Sequence, residues 1–452
     1  MTAPSAIKLT DGRFTVPGNR WDHLDSTGSR TPSVAVIIPF YNQHHELELV
    51  LKALDLQDYP PELLSVVVAD DGSERTPQPR PGVQVVRQED LGFRAAAVRN
   101  LGASVTDAEI LCFLDADTVP EPAYVRRIVR LPALAPEALV VGRRRHADLS
   151  DWAPAQLQGW WAGGPAPHLY DAPRWLSDEY DRSGNLLRLD HRSYRYVISS
   201  VMCCSRAFFD EIGGFDESFA HYGGEDWEFA HRALVGGALL HHAADAVAWH
   251  NGPDWAGRAV PARAEAKNAE ALALALRITD PDARTFGVRY AIPDVAVRID
   301  ADGHTAGSLL ATVSCFLDLD VGIWVDGPGA AELLTQLGAD DQRLHVGSVP
   351  EHVRRACRFV VEVTGRAVLP RAAVAEIVTR CAAPEVGTVD VRVPGARVRC
   401  RSSWLVHRLH RWSTGAVRFV DPDDAARLSR TETVRGDELG LRCGDAVPDL
   451  SW

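Results

Sequence analysis

The chain has 452 residues, of which 46% are hydrophobic and 24% charged, and a formal charge of −13. The length suits two or three domains of roughly 150 residues each, and the globular composition excludes a disordered or fibrous chain. The acidic balance disfavours broad nucleic-acid binding but not one anionic small molecule in a local pocket, particularly beside a metal ion. No run of 18 apolar residues occurs, so no membrane span is expected. Residues 1–30 hold no apolar signal core, which points to a cytoplasmic protein. The eight cysteines form no CxxC pair, so a zinc site is disfavoured and reduced buried thiols are the default.

Residues 1–32 are polar and rich in Gly, Ser, Thr and Pro, and read as an N-terminal arm. Val34 to Pro39 is a short β-branched run suited to a strand buried on both faces. Leu47, Val50, Leu51 and Leu54 then recur at helical spacing. Leu64 to Ala69 is a second buried strand, ending in Asp70-Asp71-Gly72-Ser73, and Val83 to Val86 a third. Phe93 to Val105 reads as a helix and Glu109 to Leu114 as a fourth strand. This alternation predicts an α/β, Rossmann-like, mostly parallel sheet. Such sheets bind ligands at the carboxyl ends of their strands, where Pro39, Asp71 and Asp115-Ala116-Asp117 fall.

Residues 143–195 lose the rhythm and carry Trp152, Trp160, Trp161 and Trp175. Regular structure resumes near Tyr196, and the Ala-rich helix 262–277 closes a domain spanning 33–278. After a linker, residues 285–452 read as a smaller α/β domain resembling a faded copy of the first. In that alignment Glu362 and Thr364 stand where Asp115 and Asp117 stood, so the carboxylate pair is lost.

Asp115 and Asp117 flank one residue after a buried strand, an arrangement that can share a hard Mg²⁺ or Mn²⁺ ion also bound by substrate phosphate oxygens. Asp71 can accept a hydrogen bond from a nucleobase N–H, and Gly72 permits close backbone approach. Arg94 and Arg99, near a helix N-terminus, suit a phosphate or a nucleobase carbonyl. Glu225-Asp226 opens a helix after Gly223-Gly224; a carboxylate there can act as a general base. His250 follows an apolar run and can complete a cation shell. Each motif alone also fits an ordinary turn, cap or surface cluster.

Together, Val34 to Asn42 (VAVIIPFYN), Asp70 to Ser73, Asp115 to Asp117, Gly213 to Glu217 and Gly223 to Phe229 resemble the family-2 glycosyltransferases of the nucleotide-diphosphosugar (GT-A) fold. GGFDE and GGEDWEF are most similar to the segments of galactosyl- and N-acetylgalactosaminyl-type transferases. The resemblance covers about half the chain and implies an inverting, metal-dependent transfer of a hexose from a UDP-sugar. It implies that Pro39, Tyr41 and Asp71 hold the nucleobase with Arg99 and Arg94 nearby. Asp115 would face the ribose and the cation, with Asp117 and His250 binding the metal. Asp226 would be the catalytic base and Glu225 would orient the acceptor. His221-Tyr222 departs from the Gly-Trp that often precedes GGED. The QxxRW motif of processive membrane synthases is absent, so a single addition to a small soluble acceptor, such as an aminocyclitol antibiotic, is expected, with the Trp-rich insert as its lid. A sugar-phosphate nucleotidyltransferase and a non-catalytic sugar-binding scaffold are the alternatives. Residues 285–452 could serve acceptor docking, scaffolding or homodimerisation.

Overall fold

The structure is a computed structural model, and it describes residues 6–220, 223–253 and 263–451. His221 and Tyr222 lie outside the described residues. The chain forms two compact units. One holds Gly12–Leu234 and Ala238–Leu274; the other holds the stretch up to Asp11, Val235–Gly237 and everything from Ala275 on.

In the first unit, strands β1 (Val34–Phe40), β2 (Leu64–Asp70), β3 (Val83–Arg87) and β4 (Ile110–Leu114) are joined by β5 (Thr118–Pro120), β6 (Ala138–Ala147), β7 (Leu169–Tyr170), β8 (Val201–Ser205) and β9 (Leu239–Asn251). Their order is β3-β2-β1-β4-β8-β6-β9-β5, with β7 on the edge of β6. The first four strands are mutually parallel, β8 runs antiparallel to both of its neighbours, and β9 is parallel to β6. Val34, Val36, Ile37, Ile38 and Leu111 to Leu114 are fully buried, as continuous β-branched and apolar runs require in a sheet covered on both faces.

Helix α1 (His44–Asp55) buries Leu47, Val50, Leu51 and Leu54, the spacing read from sequence. Helix α2 (Ala95–Ser104) approaches β1 closely because Gly102 has no side chain: a Cβ there would meet Ile37 Cγ2 at 2.5 Å. This close packing sets the depth at which the preceding turn of α2 meets the strand ends.

Two regions differ from expectation. Residues 12–32 are packed rather than loose: Asn19, nearly fully buried, donates to the Leu186 and Leu240 carbonyls and accepts from Leu240 N. The 143–195 stretch is also partly regular. Its first residues extend β6, and helices Gln156–Trp161 and Arg174–Ser183 follow.

In the second unit, β10 (Val295–Asp300), β11 (Val321–Asp326), β12 (Leu344–Val346), β13 (Phe359–Gly365), β14 (Val386–Val393), β15 (Ala396–Ser402) and β16 (Arg430–Arg435) form a sheet of order β12-β11-β10-β13-β15-β14-β16. Four parallel strands are again followed by two antiparallel pairings and a final parallel one. One face carries an apolar core that includes Val297, Ile299, Ile323, Val361 and Cys400.

Candidate active site

The carboxyl ends of β1, β2 and β4 bring most of the expected residues together, and α2 ties them to one another. At its N-terminus, Arg94 N donates to Asp71 Oδ2 at 3.0 Å, while the Arg94 side chain turns to the Glu89 carbonyl. Asp71 Oδ1 accepts from Gln88 Nε2 at 2.5 Å, so its carboxylate is held on both sides. Tyr41 stands 47% exposed at the rim, its hydroxyl 3.3 Å from Asp90. Pro39 lies within β1, paired with Ala69. Gln88 escaped the sequence reading because nothing in its neighbourhood marks it; only the β2–β3 pairing brings it beside Asp71.

Arg99, expected beside the nucleobase, is instead buried (4% exposed) between two carboxylates. Its Nη2 donates to Asp115 Oδ1 at 2.9 Å and its Nη1 to Glu225 Oε1 at 3.0 Å. The Phe215 ring lies 5.5 Å beneath the guanidinium, within cation–π range. The two acids raise the Arg99 pKa against the opposing effect of burial, so this buried cation is doubly compensated.

Asn100 clamps the Gly213-Gly214-Phe215 turn. Its Nδ2 donates to Phe215 O and its Oδ1 accepts from Phe215 N, both at 2.9 Å. Gly213 caps helix α3 (Arg206–Ile212) in the left-handed region at φ 90°. Gly214 also has positive φ, and a Cβ there would strike Asn100 Oδ1 at 2.7 Å. These glycines therefore bring the loop to α2.

Helix α4 (Glu225–Val235) carries Glu225 and Asp226 in its first turn. Burial, with Glu225 adding repulsion and Arg99 opposing both, pushes the Asp226 carboxyl up to about 7. Its Oδ1 accepts from Trp227 N at 2.8 Å. The residue keeps part of its surface open to solvent, a side from which a hydroxyl can approach. A carboxyl poised near neutrality has the basicity that general-base work at neutral pH demands.

Asp117 and His250 meet across the strand end, His250 Nε2 standing 3.4 Å from Asp117 Oδ2. Burial and the nearby Asp115 raise the Asp117 carboxyl, and His250 opposes them. A desolvated carboxylate beside an imidazole, with a second carboxylate near, suits a cation. The oxygen and nitrogen donors suit Mg²⁺ or Mn²⁺, with other positions left to phosphate oxygens and water. The Asp115, Asp117 and His250 ligand atoms do not all fall within 4.8 Å of one another. Asp115 is held by Arg99, while Asp117 and His250 stand together.

The Trp-rich insert begins beside the strand ends, Leu149 bonding Asn251 and His45. Trp160 packs against Trp249 at 5.1 Å between ring centroids and against Trp152 at 5.5 Å. Successive strand residues face opposite sides of the sheet. Trp160 thus packs on the side of β9 away from the His250 imidazole, while Trp175 lies against Tyr196.

The first unit thus sets paired acids at the strand ends of a mostly parallel α/β sheet, with Asp226 on a helix beside them. Residues 35–194 match the family "Glycosyl transferase family 2" and residues 187–241 match "N-terminal domain of galactosyltransferase". The first of these regions is a family-2 glycosyltransferase domain. Validoxylamine A glucosyltransferase of Streptomyces hygroscopicus subsp. limoneus is 33% identical over 225 residues, covering 45% of this chain and 48% of that protein. Chondroitin synthase of Pasteurella multocida is 27% identical over 248 residues, covering 49% of this chain and 25% of that protein. The chain thus spans half or less of the length of these relatives. A solved structure of GalNAc-T7 with UDP, GalNAc and Mn²⁺ aligns with a TM-score of 0.38 at 16% identity, covering 50% of this chain and 45% of that one.

Proposed function

We propose that the first unit transfers a hexose, with inversion, from a UDP-sugar to a hydroxyl of a small soluble acceptor, with Mn²⁺ or Mg²⁺ at Asp117 and His250. The observation that carries this reading is the chain of contacts Asp115–Arg99–Glu225 beside Asp226, which sets a carboxyl raised to about 7 next to the strand-end acids. The domain match and the glucosyltransferase relative support it. That relative's name favours an aminocyclitol-type acceptor.

Asp71, with Tyr41 and Gln88, receives the uracil edge, and Asp115 receives the ribose. A bound divalent cation supplies charge neutralisation of the leaving diphosphate. Asp226 takes the proton from the acceptor hydroxyl as its oxygen attacks C1 of the sugar from the face opposite the leaving group; the C1–O bond to the diphosphate breaks in the same displacement. Glu225, fixed by Arg99, orients the acceptor. The second unit is read as a degenerate copy of the first that carries no transfer chemistry.

The test is UDP release with candidate acceptors, with and without Mn²⁺, in wild type and Asp226→Asn. Release that depends on acceptor and cation and falls by about 10²–10⁴ in the variant is expected, the range that general-base removal spans. Normal turnover by Asp226→Asn would overturn the base assignment.

A further inference from the structure

We propose that the first unit carries a second ligand site, at the amino ends of its strands, which takes a small phosphate-bearing molecule. A cavity of about 430 Å³ opens there, lined by the segments that precede β1 and β2 and by the start of β9. That size falls within the usual range for small-molecule sites. The donor residues stand at the opposite, carboxyl ends of the same strands, so this cavity is not part of the site described above.

Its chemistry is cationic. Arg30, Arg126, Arg127 and Arg130 line it, against the carboxylates of Asp58 and Asp245. The lining carries four arginines against two acids, and Arg30 and Arg130 pair with Glu109 and Asp25 outside it. These pairs leave donors over. Arg126 binds the Asp58 carboxylate through Nε and Nη2, while Arg127 meets the Asp245 carboxylate through Nε and its main-chain carbonyl through Nη1. Arg126 Nη1 and Arg127 Nη2 make none of these bonds, and guanidinium donors match phosphate oxygens in geometry.

A second observation is independent of the arginines. His241 lines the cavity, and its buried Nδ1 has no hydrogen-bond partner. Its ring contacts Trp21 at 4.1 Å, and Trp21 Nε1 is likewise buried and unpartnered. Buried polar nitrogens are nearly always satisfied. In its Nδ1–H tautomer the His241 imidazole offers that nitrogen as a donor, which an anion oxygen in the cavity can accept.

The experiment is calorimetric titration of the full chain with inorganic pyrophosphate in EDTA, where no divalent cation holds an anion at the donor site. One saturable site is expected. Arg126→Glu should weaken it about tenfold or more, the scale of one charge-assisted hydrogen bond, while Asp71→Asn leaves it unchanged. Arg126 is well exposed and its side chain pairs with Asp58 alone among the contacts above, so its replacement spares the fold. Arg127→Gln provides a second reading should that variant misfold. Absence of saturable binding by wild type, equal binding by the arginine variants, or loss of binding in Asp71→Asn would each overturn the proposal. None of these outcomes bears on the transferase reading.

Discussion

Apart from β5 and β7, which the second sheet lacks, the two units share a strand order and the same sequence of parallel and antiparallel pairings, yet the ends of their strands hold different chemistry. Setting Asp326-Gly327 on Asp71-Gly72 fixes the register. Ile37 pairs with Phe113 in the first sheet, and its counterpart Ala296 pairs with Val360 in the second. Glu362 and Thr364 then fall on Asp115 and Asp117. Arg298 takes the place of Pro39 and bonds Asp326 at 2.8 Å. Arg401, in the place of Met202, bonds Glu362. In the first unit Asp71 is held by neutral donors, and Asp115, Asp117, Glu225 and Asp226 gather near Arg99, Arg144 and His250, a cluster of acids suited to a cation. In the second unit each surviving acid has its own arginine. The same scaffold thus either leaves carboxylates for a ligand or neutralises them internally, and one arginine per acid decides which.

The comparison breaks most sharply at the cation pair. Asp117→Asn or His250→Ala should weaken Mn²⁺ binding by at least about tenfold, followed by the electron paramagnetic resonance signal of free Mn²⁺; Thr364→Ala in the second unit should leave that binding unchanged. Equal Mn²⁺ affinity in Asp117→Asn would remove the metal assignment.

Arg99 comes next. Arg99→Gln leaves Asp115 and Glu225 without their shared cation, and breaking a buried pair costs about 3–5 kcal/mol; urea unfolding measures this. Arg99→Lys keeps the charge and loses the two-pronged grip, so kcat should fall with KM for the donor little changed. Because Arg99 holds the Asp226 pKa down, the pH midpoint of kcat/KM should move upward in Arg99→Gln wherever that variant folds.

The pH dependence of Asp226 has two signs. Activity needs the ionised form, so kcat/KM should rise with pH through about 7. Stability moves the other way: the folded pKa lies above the ordinary 3.8, so between about 4 and 7 the folded state binds more protons than the unfolded one, and rising pH erodes stability. Asp226→Asn should therefore melt higher than wild type at pH 8 while losing turnover. A lower melting temperature at pH 8 would show that the carboxylate is not strained there.

The smallest effect belongs to the second unit. Arg298→Gln and Arg401→Met break partly exposed pairs and should each cost no more than about 1 kcal/mol in urea, with UDP release unaltered. A loss of UDP release in either variant would give the second unit a part in the reaction.

Much of this was legible in the chain. The strands around Ile37, Val67 and Phe113 announce themselves because a sheet covered on both faces needs uninterrupted apolar runs. Asp71, Asp115, Asp117, Glu225, Asp226 and His250 were legible as acids and an imidazole at element ends. Arg99 was found but misplaced: five residues from Arg94, it lies on another side of the helix, and only the packed sheet shows which acids it meets. Gln88 and Asn100 were invisible as functional residues because amides carry no pattern; their partners are 17 and 115 positions away.

Composition, hydrophobic period and the order of acidic motifs were enough to determine the α/β class, the first four strands and the resemblance of the first unit to family-2 glycosyltransferases, since each depends on neighbours along the chain. Which carboxylate stays free, which is neutralised, and where the tryptophans face were decided only when distant segments packed together. Charge compensation acts over a few ångströms through space, and sequence separation carries no record of that distance.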